Sequence, residues 1–129
     1  MGDKIVEIEV APGHLVGYVQ DFFERPDADA LLEALLSIDM APEIVRMFGA
    51  DAVTRRRTAQ YGVEYGYNAR AKKPLSWTPL MQAIRERVKQ IAGRLDGALV
   101  QLYPDRETGI GWHRDNGKPE VIGVSELRR

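Results

Sequence analysis

An α+β fold is expected, because alternating or apolar stretches near both ends read as strands and two amphipathic helices lie between them. Pro- and Gly-containing turns separate these elements. At 129 residues, 44% hydrophobic and 29% charged, the chain is suited to one globular domain over residues 1–129 rather than to a disordered polymer.

From Ile5 to Val10 the residues alternate, with Val6, Ile8 and Val10 on one face and Glu7 and Glu9 on the other, which predicts a strand with one wet face. Pro12-Gly13 turns the chain, His14 follows as a solvated loop residue, and Leu15 to Val19 forms a second strand. Asp27, after Pro26, is suited to cap a helix running from Ala28 to about Ile38, with Leu31, Leu32, Leu35 and Leu36 as its apolar stripe. A second helix starts at the Thr78 cap with Pro79 in its first position. Leu80, Ile84, Val88 and Ile91 recur at helical spacing, and Gly93 ends it. Trp77 is expected to pack over the start of that helix. Ala98 to Tyr103 then reads as a strand with Leu99, Gln101 and Tyr103 on one face.

Composition excludes some chemistry. The chain has no cysteine, so disulfides and thiolate metal sites are ruled out. No apolar run has the length of a membrane span and the N-terminus lacks the apolar core of a signal peptide, so no membrane partner and a cytoplasmic address are expected. A net charge of −1 gives no global attraction to nucleic acid. The local balance differs, with seven bases against two acids between Arg46 and Lys73. Arg55, Arg56 and Arg57 are followed there by Tyr61, Tyr65 and Tyr67. Such a segment can neutralise phosphates while its rings stack on single-stranded or flipped bases. It can equally be a β-hairpin with half-buried tyrosines and glycines at the bend.

The chemistry-bearing stretch is Gln101-Leu-Tyr103-Pro-Asp105, a turn, and Gly109-Ile-Gly-Trp112-His113-Arg-Asp115-Asn116. On a strand, His113 and Asp115 project from one face. An imidazole and a carboxylate so placed are two of the three ligands of a facial triad for non-haem Fe(II). If the two strands pair, Gln101 and Tyr103 face the same pocket.

This uninterrupted run closely resembles the AlkB-type Fe(II)/2-oxoglutarate dioxygenases, which carry an Asn-x-Tyr strand, an Asp/Gly turn and a Gly-Trp-His-x-Asp strand in this order. Pro74-Leu-Ser-Trp77-Thr-Pro79 resembles a further family run. The match of Phe22-Phe23 and the Leu-rich helix is looser. The resemblance implies a partial double-stranded β-helix (jelly roll) with N-terminal strands and two flanking helices. It also implies Fe(II) on His113 and Asp115, 2-oxoglutarate as co-substrate contacted by Tyr103 and Gln101, and a lid over the substrate base that includes Arg57, Tyr61 and Tyr65. The implied reaction is oxidative dealkylation of alkylated DNA or RNA bases. Gln101 stands where the family has Asn and is one methylene longer.

No histidine follows Asp115, and Arg128 and Arg129 do not match the family's 2-oxoglutarate-binding arginine. The expectation is therefore a family domain incomplete at its C-terminus, impaired in turnover by itself, and completed by a second polypeptide or covered by self-association. The alternative is a non-catalytic nucleic-acid-binding or interaction module on the same scaffold.

Overall fold

The computed structural model describes residues 3–63, 73–109, 124 and 127, so His113, Asp115 and Tyr65 lie outside the described residues. Two compact units divide the chain between Ser37 and Ile38.

The first unit holds a hairpin of β1 (Val6–Ala11) and β2 (His14–Tyr18) and the helix α1 (Arg25–Leu36). The hairpin is antiparallel, with Ile8 opposite Val16 and an irregularity between Glu9 and Ala11. Gly13 turns at a φ of 77°, and its N–H donates to the Glu9 carboxylate. His14 is the exposed first residue of β2.

In α1 the expected start needs correcting. The cap is Glu24 with extended backbone, not Asp27, and the helix ends at Leu36 with Ser37 as C-cap. Pro26 is tolerated because the first helical N–H groups have no intrahelical acceptor, so its missing donor costs nothing there. Asp27 instead sits in the first turn, where its charge complements the helix dipole. Of the expected stripe, Leu31, Leu32 and Leu35 are half-buried and Leu36 is exposed.

The second unit carries a three-stranded antiparallel sheet in the order β3 (Ala41–Met47), β4 (Ala50–Tyr61) and β5 (Ala98–Leu102), with the helix α2 (Pro79–Ala92) between β4 and β5 in sequence. Strand β3 was not foreseen. It contains Pro42, which is acceptable on an edge strand because it removes only one ladder donor. Strand β4 is long and pairs on both sides, taking up Arg55 to Tyr61. The eight residues from Thr54 to Tyr61, open above to a hairpin reading, are thus one strand between two others.

Helix α2 follows its sequence signals closely. The Thr78 hydroxyl accepts from the Met81 N–H at 3.2 Å, Pro79 opens the helix, and Gly93 caps it at a φ of 78°. Trp77 packs at that start, 6.5 Å from the Tyr61 ring and with the Arg85 guanidinium 4.4 Å above it. Ala59, Tyr61 and Met81 are the buried apolar side chains among the described residues. The described residues thus establish the α+β class with two helices and two antiparallel sheets, and they do not by themselves show a jelly roll. Among them no helix is long and apolar enough to cross a membrane.

Candidate functional site

The site is built where β4 bulges against β3, next to the end of its pairing with β5. Pro42 opposes Arg57 and Ile44 opposes Val53, so Thr54, Arg55 and Arg56 are accommodated against Glu43 alone. Thr54 holds this bulge together. Its hydroxyl accepts from the Glu43 N–H at 3.0 Å and donates to the Arg56 carbonyl at 3.0 Å. The distortion turns Arg56 inward, where it is 8% exposed and donates from Nη2 to Glu43 Oε2 at 2.9 Å.

On β5, Gln101 pairs with Thr58 and Leu102, the last residue of the strand, with Arg57, and Tyr103 follows directly. Alternation puts Gln101, Tyr103, Arg56 and Thr58 on one face. There the Tyr103 hydroxyl donates to Gln101 Oε1 at 2.9 Å. Burial alone would lower the Arg56 pKa, but the hydrogen bond and charge of Glu43, then those of Tyr103, outweigh it and hold the group above its ordinary value. The guanidinium is therefore a fixed positive charge behind two exposed hydrogen-bonding side chains. The expected sharing of one face by Gln101 and Tyr103 is observed.

The opposite face of the same strands carries Tyr61 and Ala59, paired with Ala98 and Val100. Tyr61 is 3% exposed. Burial, followed by the charge of Asp39, raises its pKa. Arg57 shares this face by alternation and is exposed, with no ion-pair partner among the described residues. The fold therefore brings Gln101 and Tyr103 together, and puts Arg57 and Tyr61 across the sheet from them.

The arginine triplet is less of a basic patch than its charge count suggests. Arg55 reaches Asp105 Oδ2 at 2.6 Å and lies 3.8 Å from Glu107, while Arg56 is held by Glu43. Among these three, only Arg57 keeps its charge free of an acidic partner in the described residues. Sequence reasoning passed over Phe48. It lies between β3 and β4, fully exposed, in a two-residue turn with Gly49 where both φ angles are positive, 50° and 79°. Such a backbone is unfavourable for a phenylalanine. The signal available was the Phe-Gly pair between the two strands, readable only once β3 is recognised.

Asp105 organises the exit from β5. Its Oδ1 accepts from the Glu107 N–H, the Thr108 N–H and the Thr108 hydroxyl at 2.8–3.0 Å. The Thr108 hydroxyl bond is the largest influence. Desolvation, the next largest, opposes it, and the Thr108 N–H, Arg55 and the Glu107 N–H then help to hold this carboxyl below its ordinary value. A depressed carboxylate gives order that is present above the unfolded-state value and is lost as pH falls through the lower folded value. The Glu107 and Thr108 amide resonances should therefore keep their neutral-pH positions through the ordinary aspartate range and move together only below it. Titration of these amides with an ordinary aspartate midpoint, or unchanged titration in Asp105→Asn, would remove this role.

Among the described residues no three His, Cys, Asp or Glu side chains gather as a metal site, and His113 and Asp115 lie outside them. The donor types at those two positions, a neutral imidazole and a carboxylate two residues apart, suit Fe(II) chemically.

No family model matches the sequence. Over 83 residues, 61% of this chain, it is 29% identical to a Bos taurus protein named DNA oxidative demethylase ALKBH2. It is 32% identical to the Mus musculus protein of that name over the same number of residues. The chain spans 30% and 35% of those proteins, about a third of their length. Through this stretch the chain is similar to part of two proteins named as DNA oxidative demethylases.

Proposed function

We propose that the chain works as part of an AlkB-type oxidative dealkylase that removes alkyl groups from DNA bases. The observation that carries this reading is the 83-residue similarity to two proteins named as DNA oxidative demethylases. The face formed by Gln101, Tyr103 and Arg56 supports it, since exposed hydrogen-bonding groups before a fixed positive charge suit an anionic co-substrate. In this reading the strands contribute to a jelly roll, Tyr103 and Gln101 contact a carboxylate of 2-oxoglutarate, and His113 and Asp115 hold the metal. Bound Fe(II) would supply the oxidising chemistry with O2. The chain's own residues bind and orient the co-substrate.

The nucleic-acid side would use Arg57 for phosphate and Phe48 as an apolar wedge against bases, with Tyr65 in the same lid. A fully exposed aromatic at a hairpin tip is the kind of side chain that inserts between base steps. Tyr61, buried beside Trp77, would support this segment from below.

Calorimetric titration of 2-oxoglutarate into protein loaded with Mn(II), a redox-quiet substitute for iron, tests the proposal. Binding should require the metal and fall at least about tenfold in His113→Ala, the loss of one ligand to the ion. In parallel, a methylated oligonucleotide should bind more weakly as salt is raised, with a smaller salt slope in Arg57→Ala. Oligonucleotide binding without any metal-dependent 2-oxoglutarate binding would replace the dealkylase by a nucleic-acid-binding module.

A further inference from the structure

The hairpin of the first unit is a sheet that stops one strand short. Two antiparallel strands alone are marginal in water, and a third strand or a covered apolar face is what stabilises such a unit. Val6, Ile8 and Val10 alternate along β1, with Tyr18 opposite Val6 and Val16 opposite Ile8, so these five side chains share one face. They are 45–63% exposed, although α1 belongs to the same unit. Glu7 and Glu9 lie on the other face, opposite Gly17 and Leu15. Glu9 accepts only the Gly13 N–H, which leaves acceptor capacity on its carboxylate.

The edge of β1 is bare as well. Only β2 pairs with it among the described residues. Edge strands are commonly blunted by lysine, proline or a bulge. β1 has six residues, none of them lysine or proline, and its irregularity falls at its very end, between Glu9 and Ala11.

Charge selects the occupant. Between Asp3 and Ser37 eight acidic side chains stand against two basic ones, 2 − 8 = −6, whereas the whole chain carries −1. Such a segment repels the phosphates of nucleic acid and the headgroups of an anionic membrane. A second copy docked hairpin to hairpin would bring two like-charged segments together, at an electrostatic cost. A basic strand meets neither objection.

We propose that β1 takes up, as a third strand, an extended segment of a partner protein in which apolar residues alternate with lysine or arginine. Main-chain hydrogen bonds to the bare edge supply affinity, and the alternation sets the register. The partner's apolar side chains continue the Val6, Ile8 and Val10 face, while its cations stand beside Glu7 and Glu9 on the other. This surface uses none of the co-substrate or nucleic-acid residues named above.

The probe is a fluorescein-labelled peptide of Val-Lys repeats with blocked ends, titrated into the intact protein by fluorescence anisotropy while NMR follows backbone amide exchange. The expected result is saturable binding that slows exchange at alternate amides of β1. Affinity should fall about tenfold in Glu7→Gln/Glu9→Gln, the loss of two cross-strand charge pairs. Binding should vanish when the backbone nitrogens of the peptide are methylated, which keeps its charge and removes its ladder donors. The glutamine variant retains an acceptor for the Gly13 N–H, and methylation alters the probe alone, so the test does not depend on a variant that fails to fold. Absence of binding by the unmethylated peptide would overturn the proposal. Equal binding of the methylated peptide would do so too, since it would show charge attraction without strand addition, as would protection confined to residues after Ser37. Sedimentation showing that the protein alone dimerises, with the same β1 amides protected, would also overturn it by making a second copy the occupant.

Discussion

Gly62→Ala should destabilise the chain by about 3 kcal/mol, from a left-handed backbone cost of roughly 1–2 kcal/mol and an overpacking cost of roughly 1–3 kcal/mol. Gly62 has a φ of 83°, and a Cβ there would collide with the Asp96 carbonyl and sit 2.8 Å from Trp77 Nε1 and 2.9 Å from Cζ2. A backbone carbonyl on one side and a half-buried indole on the other leave little room to yield. The glycine also fastens the end of β4, since its N–H donates to the Leu75 carbonyl at 3.1 Å and the Leu75 N–H donates to Gln60 at 2.8 Å. Moving the indole would disturb its contacts with Tyr61 and Arg85. Urea denaturation of both proteins measures the difference, and a loss under about 1 kcal/mol would mean that the close approach at Gly62 is not a constraint of the folded state.

Local signals made some elements readable. Thr78, Pro79 and Gly93 define α2 because a cap, a first-turn proline and a terminating glycine each act within a few residues. The shared face of Gln101 and Tyr103 followed from strand alternation alone. By contrast, Pro42 and the adjacent bulge broke the alternation that would have announced β3. Arg55, Arg56 and Arg57 looked alike as a basic run because counting charges does not reveal partners. The acids that occupy two of them come from β3 and from the turn after β5, and only the folded register brings these together. Burial is equally hidden at Tyr61, which the family resemblance alone puts in a substrate lid. Its spacing says that it alternates, while its 3% exposure depends on Trp77 and the end of β4. For His113 and Asp115 the argument remains one of residue type and spacing, since they lie outside the described residues.

Arg56→Met should cost about 3 kcal/mol, the lower end of the range for breaking a buried ion pair, because Glu43 would be left desolvated and unpaired. The side chains are only 10% and 16% exposed, so water cannot readily replace the lost partner. Glu43→Leu combined with Arg56→Met should behave differently. With both charges removed, the desolvation they required is gone, and the double variant is expected within about 1 kcal/mol of the wild type. Retained stability in the double variant separates folding from function. If the Arg56 charge serves co-substrate binding, that protein should melt like the wild type and yet bind 2-oxoglutarate about tenfold more weakly, because the anionic carboxylate has lost a fixed positive charge. Denaturant unfolding and calorimetric titration on the same four proteins of the cycle would report both quantities. A double variant as stable as the wild type that also keeps its affinity would leave the Glu43–Arg56 pair with no part in co-substrate binding. One that remains destabilised by the full 3 kcal/mol would mean that the bulge needs the ion pair itself, and not merely the absence of an orphan charge.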